Sequence, residues 1–92
     1  MSAETDGTSA RTILVVEDEA ALAAALSYNL RKAGYNVVEA RDGAVALREA
    51  RRARPDAIVL DIMLPQIDGL EVCRRVRAES DVPICRSERG VW

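Results

Sequence analysis

The sequence lacks several residue types that would indicate particular kinds of chemistry. It contains no histidine and no phenylalanine, and its two cysteines, Cys73 and Cys85, each stand without a second cysteine close by. Without histidine, a thiolate–imidazole catalytic pair and a histidine-based zinc site are both excluded. Two isolated cysteines do not form a disulfide framework, so we interpret them as small buried or half-buried thiols.

Long apolar runs and a strong charge of one sign are also missing. No uninterrupted apolar stretch approaches the roughly 20 residues that cross a bilayer. Residues 1–10 have neither the basic start nor the apolar core of a signal peptide. The formal net charge of −2 provides no basic field that would attract nucleic acid or an anionic membrane. We therefore predict a cytoplasmic protein without membrane contact and without direct nucleic acid contact.

The length and composition of the chain allow one small folded domain. It has 92 residues, of which 49% are hydrophobic and 30% are charged. We predict a disordered polar tail over residues 1–10, an incomplete domain over residues 11–85 and an irregular polar segment over residues 86–92.

Strand patterns and helix patterns alternate along the predicted domain. The apolar runs predict strands at residues 12–16, 36–40 and 57–60 and the beginning of a fourth at residues 82–85. Amphipathic spacing predicts helices at about residues 19–33, 44–54 and 69–78. This alternation implies right-handed crossovers and a parallel sheet, which places the chain in the α/β class.

The helical spacing also predicts which side chains are buried. The expected inward residues are Leu22, Ala25, Leu26, Leu30 and Ala33 in the first helix, Ala46, Leu47, Ala50 and Ala53 in the second, and Leu70, Cys73 and Val76 in the third.

Carboxylates follow two of the predicted buried strands. Glu17 and Asp18 come directly after the first strand, and Asp61 comes directly after the third. Ligands of parallel sheets bind at the carboxyl ends of the strands. If these two strands are neighbours, three carboxylates meet at one edge, and their mutual repulsion favours a bound cation. Taken singly, the residues leave helix capping and a polar loop open as alternative explanations.

Four short motifs resemble the receiver domain of two-component response regulators. They are Ile13-Leu14-Val15-Val16-Glu17-Asp18-Glu19, Ile58-Val59-Leu60-Asp61-Ile62-Met63-Leu64-Pro65, Asp68-Gly69 and Val82-Pro83-Ile84. The resemblance covers roughly residues 11–85, and it is greatest to receivers that precede a winged-helix DNA-binding domain. It implies a flavodoxin-like, three-layer parallel sheet.

The resemblance also implies a bacterial phosphorelay function for particular residues. Asp61 matches the phosphoacceptor, which takes a phosphoryl group from a sensor histidine kinase. Glu17, Asp18, Asp61 and the backbone carbonyl of Met63 match the ligands of Mg²⁺, an ion that prefers hard oxygen atoms. Such a protein is a phosphoacceptor and not an enzyme.

Other features depart from the family pattern. A complete receiver has five strands and five helices, whereas we expect strand 5 and helices 4–5 to be absent here. The family's hydroxyl residue at the end of strand 4 corresponds to Glu88 by register from Pro83, and Ser87 lies one residue away. The single lysine, Lys32, is expected roughly 20 Å from the acidic edge, too far to replace the lysine of strand 5.

These departures predict a weakened domain and leave a second function open. Strands 1 and 3 would be partly open on one sheet face and strand 4 would be an exposed edge. We therefore expect poor solubility, self-association or a loosely packed monomer. The alternative function is a fragment that is not phosphorylated or does not signal, and only binds a kinase or itself. A nucleotide-binding enzyme is disfavoured, because acidic residues stand where a glycine-rich phosphate loop would follow the first strand.

Overall fold

The computed structural model describes residues 10–61 and 69–87. Strands and helices alternate through these residues in the order that the sequence predicts. The elements are β1 (Thr12–Val16), α1 (Ala20–Lys32), β2 (Asn36–Ala40), α2 (Gly43–Ala53), β3 (Ala57–Asp61), α3 (Gly69–Arg77) and β4 (Ile84–Ser87).

The described strands form a parallel sheet in the order β2-β1-β3-β4. β1 and β3 are hydrogen-bonded neighbours, with Val16 level with Leu60, which confirms that the two strands lie side by side. The four residues from Ile13 to Val16 are all buried, as a strand covered on both faces requires. β2 has a more mixed composition and lies at an edge of the sheet.

Helices cover both faces of the sheet and produce three layers. α1 packs on β1 and β2 from one side, while α2 packs on the same strands from the other side and contacts α3. The main core lies on the side of α2 and α3. It includes Leu14, Ile58, Leu60, Val72 and Val76, all of them buried. The α/β class and the flavodoxin-like three-layer arrangement are therefore confirmed.

None of the described helices is long and apolar enough to cross a membrane. The longest, α1, has 13 residues, compared with the roughly 20 residues that a bilayer span needs.

Local chemistry determines where the helices begin and end. The Asp42 carboxylate accepts a hydrogen bond from the Val45 amide at 2.9 Å, so α2 begins at Gly43, one residue before the predicted start. Gly34 ends α1 with a φ of +104°, which side chains rarely adopt. The Tyr35 amide then reaches back to the Leu30 carbonyl at 3.1 Å, a Schellman closure of the helix.

The buried side of α1 agrees with the predicted one only in part, because Leu22, Leu26 and Leu30 are half-buried. Ala23 and Ser27 are its buried residues, whereas Ala25 and Ala33, which the sequence places inward, are exposed. The Ser27 hydroxyl donates a 2.6 Å hydrogen bond to the Glu39 carboxylate in β2. A polar residue therefore occupies the centre of the contact, and apolar spacing alone could not locate it.

The prediction for Leu70 in α3 was also wrong. Leu70 is 49% exposed, while Val72 and Val76 are buried. Leu70 lies about 200° around the helix from Val72, so both cannot contact the same neighbours. α3 packs against α2 and the core through Val72 and Val76, with Cys73 half-buried beside them.

The open part of the sheet is smaller than predicted. Ile13 and Val15 of β1 are buried on the side that α1 covers, so the expectation of an open strand 1 was wrong. On the same side Val59 of β3 is half-buried, and its register partner in β4, Cys85, is exposed. Within residues 10–61 and 69–87 the uncovered apolar side is therefore confined to β3 and β4.

β4 continues further than its sequence suggests. The strand runs from Ile84 through Arg86 to Ser87, although we expected an irregular segment to begin at residue 86. Parallel pairing with β3 holds these polar residues in the sheet, because the backbone groups that face β3 can pair regardless of side chain.

Candidate functional site at the carboxyl edge of the sheet

Glu17 is a buried carboxylate directly after β1. It is only 3% exposed, and its backbone amide donates to the Ala40 carbonyl at 3.0 Å, which continues the pairing of β1 with β2. Its side-chain oxygen Oε2 accepts a hydrogen bond from the Glu19 amide at 3.1 Å. Asp18 lies beside it and is half-buried. Burial of a carboxylate is costly without compensating partners, so this position is unusual for a residue that serves only solubility.

Helix capping does not account for the acidic side chain at the N-cap of α1. Glu19 occupies the N-cap position with an extended backbone, but within the described part of the chain its side chain makes no capping hydrogen bond. α2 provides a comparison, because its N-cap Asp42 does bond the amide three residues later. Glu19 therefore does not cap α1 in the way that Asp42 caps α2.

Asp61 is the last residue of β3, which ends at the same edge of the sheet as β1. Val16 is level with Leu60 across the two strands, so the residues that follow them, Glu17 and Asp61, start from adjacent backbone positions. The side chain of Asp61 and the whole of Met63 lie outside the described residues. Their proposed roles as metal ligands therefore stay predictions, and the side chains that are described contain no cluster of three metal-binding groups.

Ser87 in β4 is level with Asp61 in the register of the sheet. The sequence prediction assigned the family's hydroxyl position to Glu88, which lies outside the described residues. The structure adds that the backbone reaches the level of Asp61 as a strand and ends beside it, at Ser87.

Lys32 lies at the far end of α1 from the acidic edge, as the sequence predicted. It is the last residue of a 13-residue helix, and the helix rise places it roughly 18 Å from the first turn. Its ammonium lies 6.0 Å from the centre of the Tyr28 ring.

Asp56 has a structural role that the sequence analysis missed. Its carboxylate accepts a hydrogen bond from the Thr12 amide at 2.8 Å, and its own amide donates to the Thr12 carbonyl at 2.7 Å. The two bonds connect the starts of β1 and β3 and so support the register that aligns their acidic ends. A lone aspartate after Pro55 and before a strand was the available signal.

One arginine–carboxylate pair connects α2 to the turn after α3, and another lies within α2. Arg51 holds Glu79 through two nitrogens, at 3.0 Å and 2.7 Å, and these hydrogen bonds lower the pKa of Glu79 and raise that of Arg51. Hydrogen bonds from Arg52 lower the pKa of Glu49 in the same way. These pairs lie away from the acidic edge and stabilise the helix layer.

Glu71 in α3 is held by two arginines. Arg74 and Arg75 both hydrogen-bond its carboxylate, with Arg75 at 2.8 Å, and together they lower its pKa, Arg74 having the larger effect. The three residues are three and four positions apart, the spacing at which side chains of one helix turn meet.

The sequence matches proteins of one family along most of its length. The family model described as response regulator receiver domain matches residues 13–86. The alkaline phosphatase synthesis transcriptional regulatory protein PhoP of Bacillus subtilis is 49% identical over 69 residues, which cover 75% of this chain and 29% of that protein. The transcriptional regulatory protein AfsQ1 of Streptomyces coelicolor is 47% identical over 73 residues, covering 79% of this chain and 32% of that protein. The chain thus spans about a third of the length of these curated relatives.

Solved structures agree with the sequence match. The chemotaxis protein CheY4 of Vibrio cholerae superimposes with a TM-score of 0.81 at 34% identity, over 85% of this chain and 68% of that one. The BeF3-activated receiver domain of RstA from Klebsiella pneumoniae gives a TM-score of 0.80 at 34% identity, over 84% and 66%. Sequence, strand order and backbone all lead to the same conclusion: the chain belongs to the response regulator receiver domain family.

Proposed function

We propose that this chain is a phosphoacceptor module in which Asp61 takes the phosphoryl group. Receiver domains of response regulators are phosphoacceptors and not enzymes in the usual sense, and sensor histidine kinases are their donors. The observation that most supports the role of Asp61 is the adjacency of β1 and β3, whose acidic ends share one edge. A sensor histidine kinase as partner and a cytoplasmic location are parts of the same proposal.

The transfer itself needs one nucleophile. A carboxylate oxygen of Asp61 attacks the phosphorus of the donor, and the bond from phosphorus to the donor's imidazole nitrogen breaks. The electron pair of that bond leaves with the nitrogen, and an aspartyl phosphate remains. Positioning and electrostatics carry most of the catalysis in such a transfer, so the surroundings of Asp61 determine its rate.

The described residues at this edge fit Mg²⁺, which receiver domains generally bind beside the phosphorylated residue. Glu17 and Asp18 supply hard oxygen donors on adjacent residues directly after β1, and Glu17 is buried there. In our proposal Glu17, Asp18, Asp61 and the Met63 carbonyl hold the ion. Bound there, Mg²⁺ supplies positive charge that allows an anionic phosphoryl group to approach carboxylates.

Acetyl phosphate provides a direct test without a kinase. The chain is incubated with acetyl phosphate and MgCl₂, and its intact mass is measured. We expect the mass of one added phosphoryl group on the wild-type chain and on Asp81→Asn, and none on Asp61→Asn. Asp81 is the matched control, because it is an exposed aspartate that precedes β4 at the opposite end of the sheet.

The role of the metal ligands is tested in the same assay. Asp18→Asn should lower the labelling rate at saturating acetyl phosphate at least roughly tenfold, as should chelation of Mg²⁺, because the remaining ligands hold the ion weakly. An adduct that persists on Asp61→Asn would contradict the assignment of Asp61. A folded wild-type chain that acquires no adduct would favour the alternative function, a fragment that is not phosphorylated.

A further inference from the structure

A cavity opens between α2 and α3 at the end of the molecule opposite the acidic edge. Its volume is about 410 Å³, within the usual range for small-ligand sites. Its apolar lining comes from both helices and from the connections that follow them, and it consists of Leu47, Ala50, Pro55, Val76 and Val82. We call this space the α2–α3 cavity. Nothing in the phosphoacceptor chemistry proposed above uses it.

The rim of the α2–α3 cavity is positively charged. Three arginines, Arg51, Arg54 and Arg75, stand around it against a single carboxylate, that of Glu79. Arg51 is already bound to Glu79, and Arg75 is bound to Glu71 in α3. The rim therefore carries an excess of guanidinium groups, even though carboxylates neutralise two of them.

Arg54 is the rim arginine that pairs with no carboxylate among the described residues. In the part of the chain that the structure describes, its guanidinium contacts no carboxylate and donates no hydrogen bond to another group. It is exposed, and it follows α2 in a left-handed conformation with φ of 47°. An arginine is an uncommon choice for that conformation, which glycine adopts without strain.

From these features we infer that the α2–α3 cavity binds a small organic carboxylate with an apolar body. The guanidinium of Arg54 forms a planar fork that matches a carboxylate with two parallel hydrogen bonds. The apolar body then lies on Leu47, Val76 and Val82, which line the cavity and belong to one packed apolar cluster. A free inorganic anion would use the arginine only, and a neutral apolar molecule would use the floor only. The proposal is independent of the role of Asp61.

Hexanoate is a suitable probe for this site. The ¹⁵N-labelled full chain is titrated with hexanoate, hexan-1-ol and hexylammonium at constant ionic strength, and amide shifts are followed. We expect saturable shifts at Ala50, Val76 and Val82 with hexanoate, at least tenfold weaker binding of hexan-1-ol and no binding of hexylammonium. Shifts that are equal for hexanoate and hexan-1-ol would overturn the proposal, since the charge would then contribute nothing.

Two variants assign the carboxylate to Arg54. Arg54→Gln should weaken hexanoate binding about tenfold, because it removes the charge and the fork while keeping a side chain of similar length. Arg41→Gln is the matched control, since Arg41 is an exposed arginine before α2, at the other end of that helix. It should bind hexanoate as the wild type does. Unchanged binding by Arg54→Gln, or no saturable hexanoate binding by the wild type, would refute the inference.

Discussion

Gly34 and Arg54 both have a positive φ, and they follow the first and the second helix. They differ in that Gly34 has no side chain and Arg54 has a long one. Each chain turn needs a left-handed residue after the helix. Gly34 adopts this conformation without a side chain, and a Cβ added there would meet no atom within 4 Å. Arg54 adopts it with a full side chain before Pro55, a neighbour that further restricts its backbone.

Substitutions at these two positions should therefore shift stability in opposite directions. Gly34→Ala should destabilise the fold by about 1 kcal/mol through its φ alone, because there is no clash to add. Arg54→Gly should be neutral or stabilise the fold by up to about 1 kcal/mol, because relief of the left-handed strain competes with the greater freedom of the unfolded chain. Urea unfolding of both variants measures this. Measurable destabilisation by Arg54→Gly would contradict the argument.

At the scale of elements, the pairing of Arg51 with Glu79 connects the end of α2 to the turn after α3. The Glu79 carboxylate is held by two nitrogens of Arg51, which lowers its pKa below the ordinary value of 4.5. A carboxylate with a lowered pKa stabilises the folded state fully above its unfolded pKa. That contribution disappears as the pH falls through the folded value, when the folded carboxyl also takes up its proton.

The unfolding midpoint should therefore decline as the pH falls below about 4.5, and Glu79→Gln should reduce the decline. Part of the decline should remain in Glu79→Gln, because the pKa values of Glu49 and Glu71 are lowered too. The check is thermal unfolding in steps from neutral to acidic pH for the wild type, Glu79→Gln, Arg51→Gln and the double variant. If the Arg51–Glu79 pair causes the decline, the double variant should show the same pH dependence as either single variant. Full additivity of the two single changes would show that the pair is not the cause.

The helices also indicate what periodicity could and could not predict. Asp42, Gly34 and Pro55 carry local signals, and the helix ends lie within two residues of them. The buried faces of the helices were harder to predict, because they depend on which element packs against each helix. Ser27 is buried because its hydroxyl donates a hydrogen bond to the Glu39 carboxylate of β2. Leu70 is exposed because α3 contacts α2 through other residues. Neither partner can be identified from the spacing of apolar residues.

For the molecule as a whole, the most consequential feature is the uneven cover of the sheet. α1 covers β1 and β2, whereas Val59 of β3 stays half-buried and Cys85 of β4 is exposed on that side. β4 is also an edge strand of the sheet that the described residues form. An apolar surface beside an edge strand favours association between chains.

We therefore expect the isolated chain to associate with itself at high concentration. Sedimentation velocity should show a weight-average mass that rises with concentration, and Val59→Thr should reduce the rise. The same substitution at Val37, half-buried in β2, is the matched control and should leave association unchanged. A cooperative calorimetric transition together with a strictly monomeric sedimentation profile at all concentrations would contradict the prediction.

The sequence by itself determined the class of the fold, the strands that bear carboxylates and the family resemblance. Those features depend on local patterns: apolar runs for buried strands, helical spacing for amphipathic helices, and acidic residues directly after Val16 and Leu60. Only the tertiary structure decided the neighbourhood of these residues, because register and burial depend on contacts between distant segments. It placed β1 beside β3, extended β4 to the level of Asp61 and brought two helices together around an arginine-rimmed cavity.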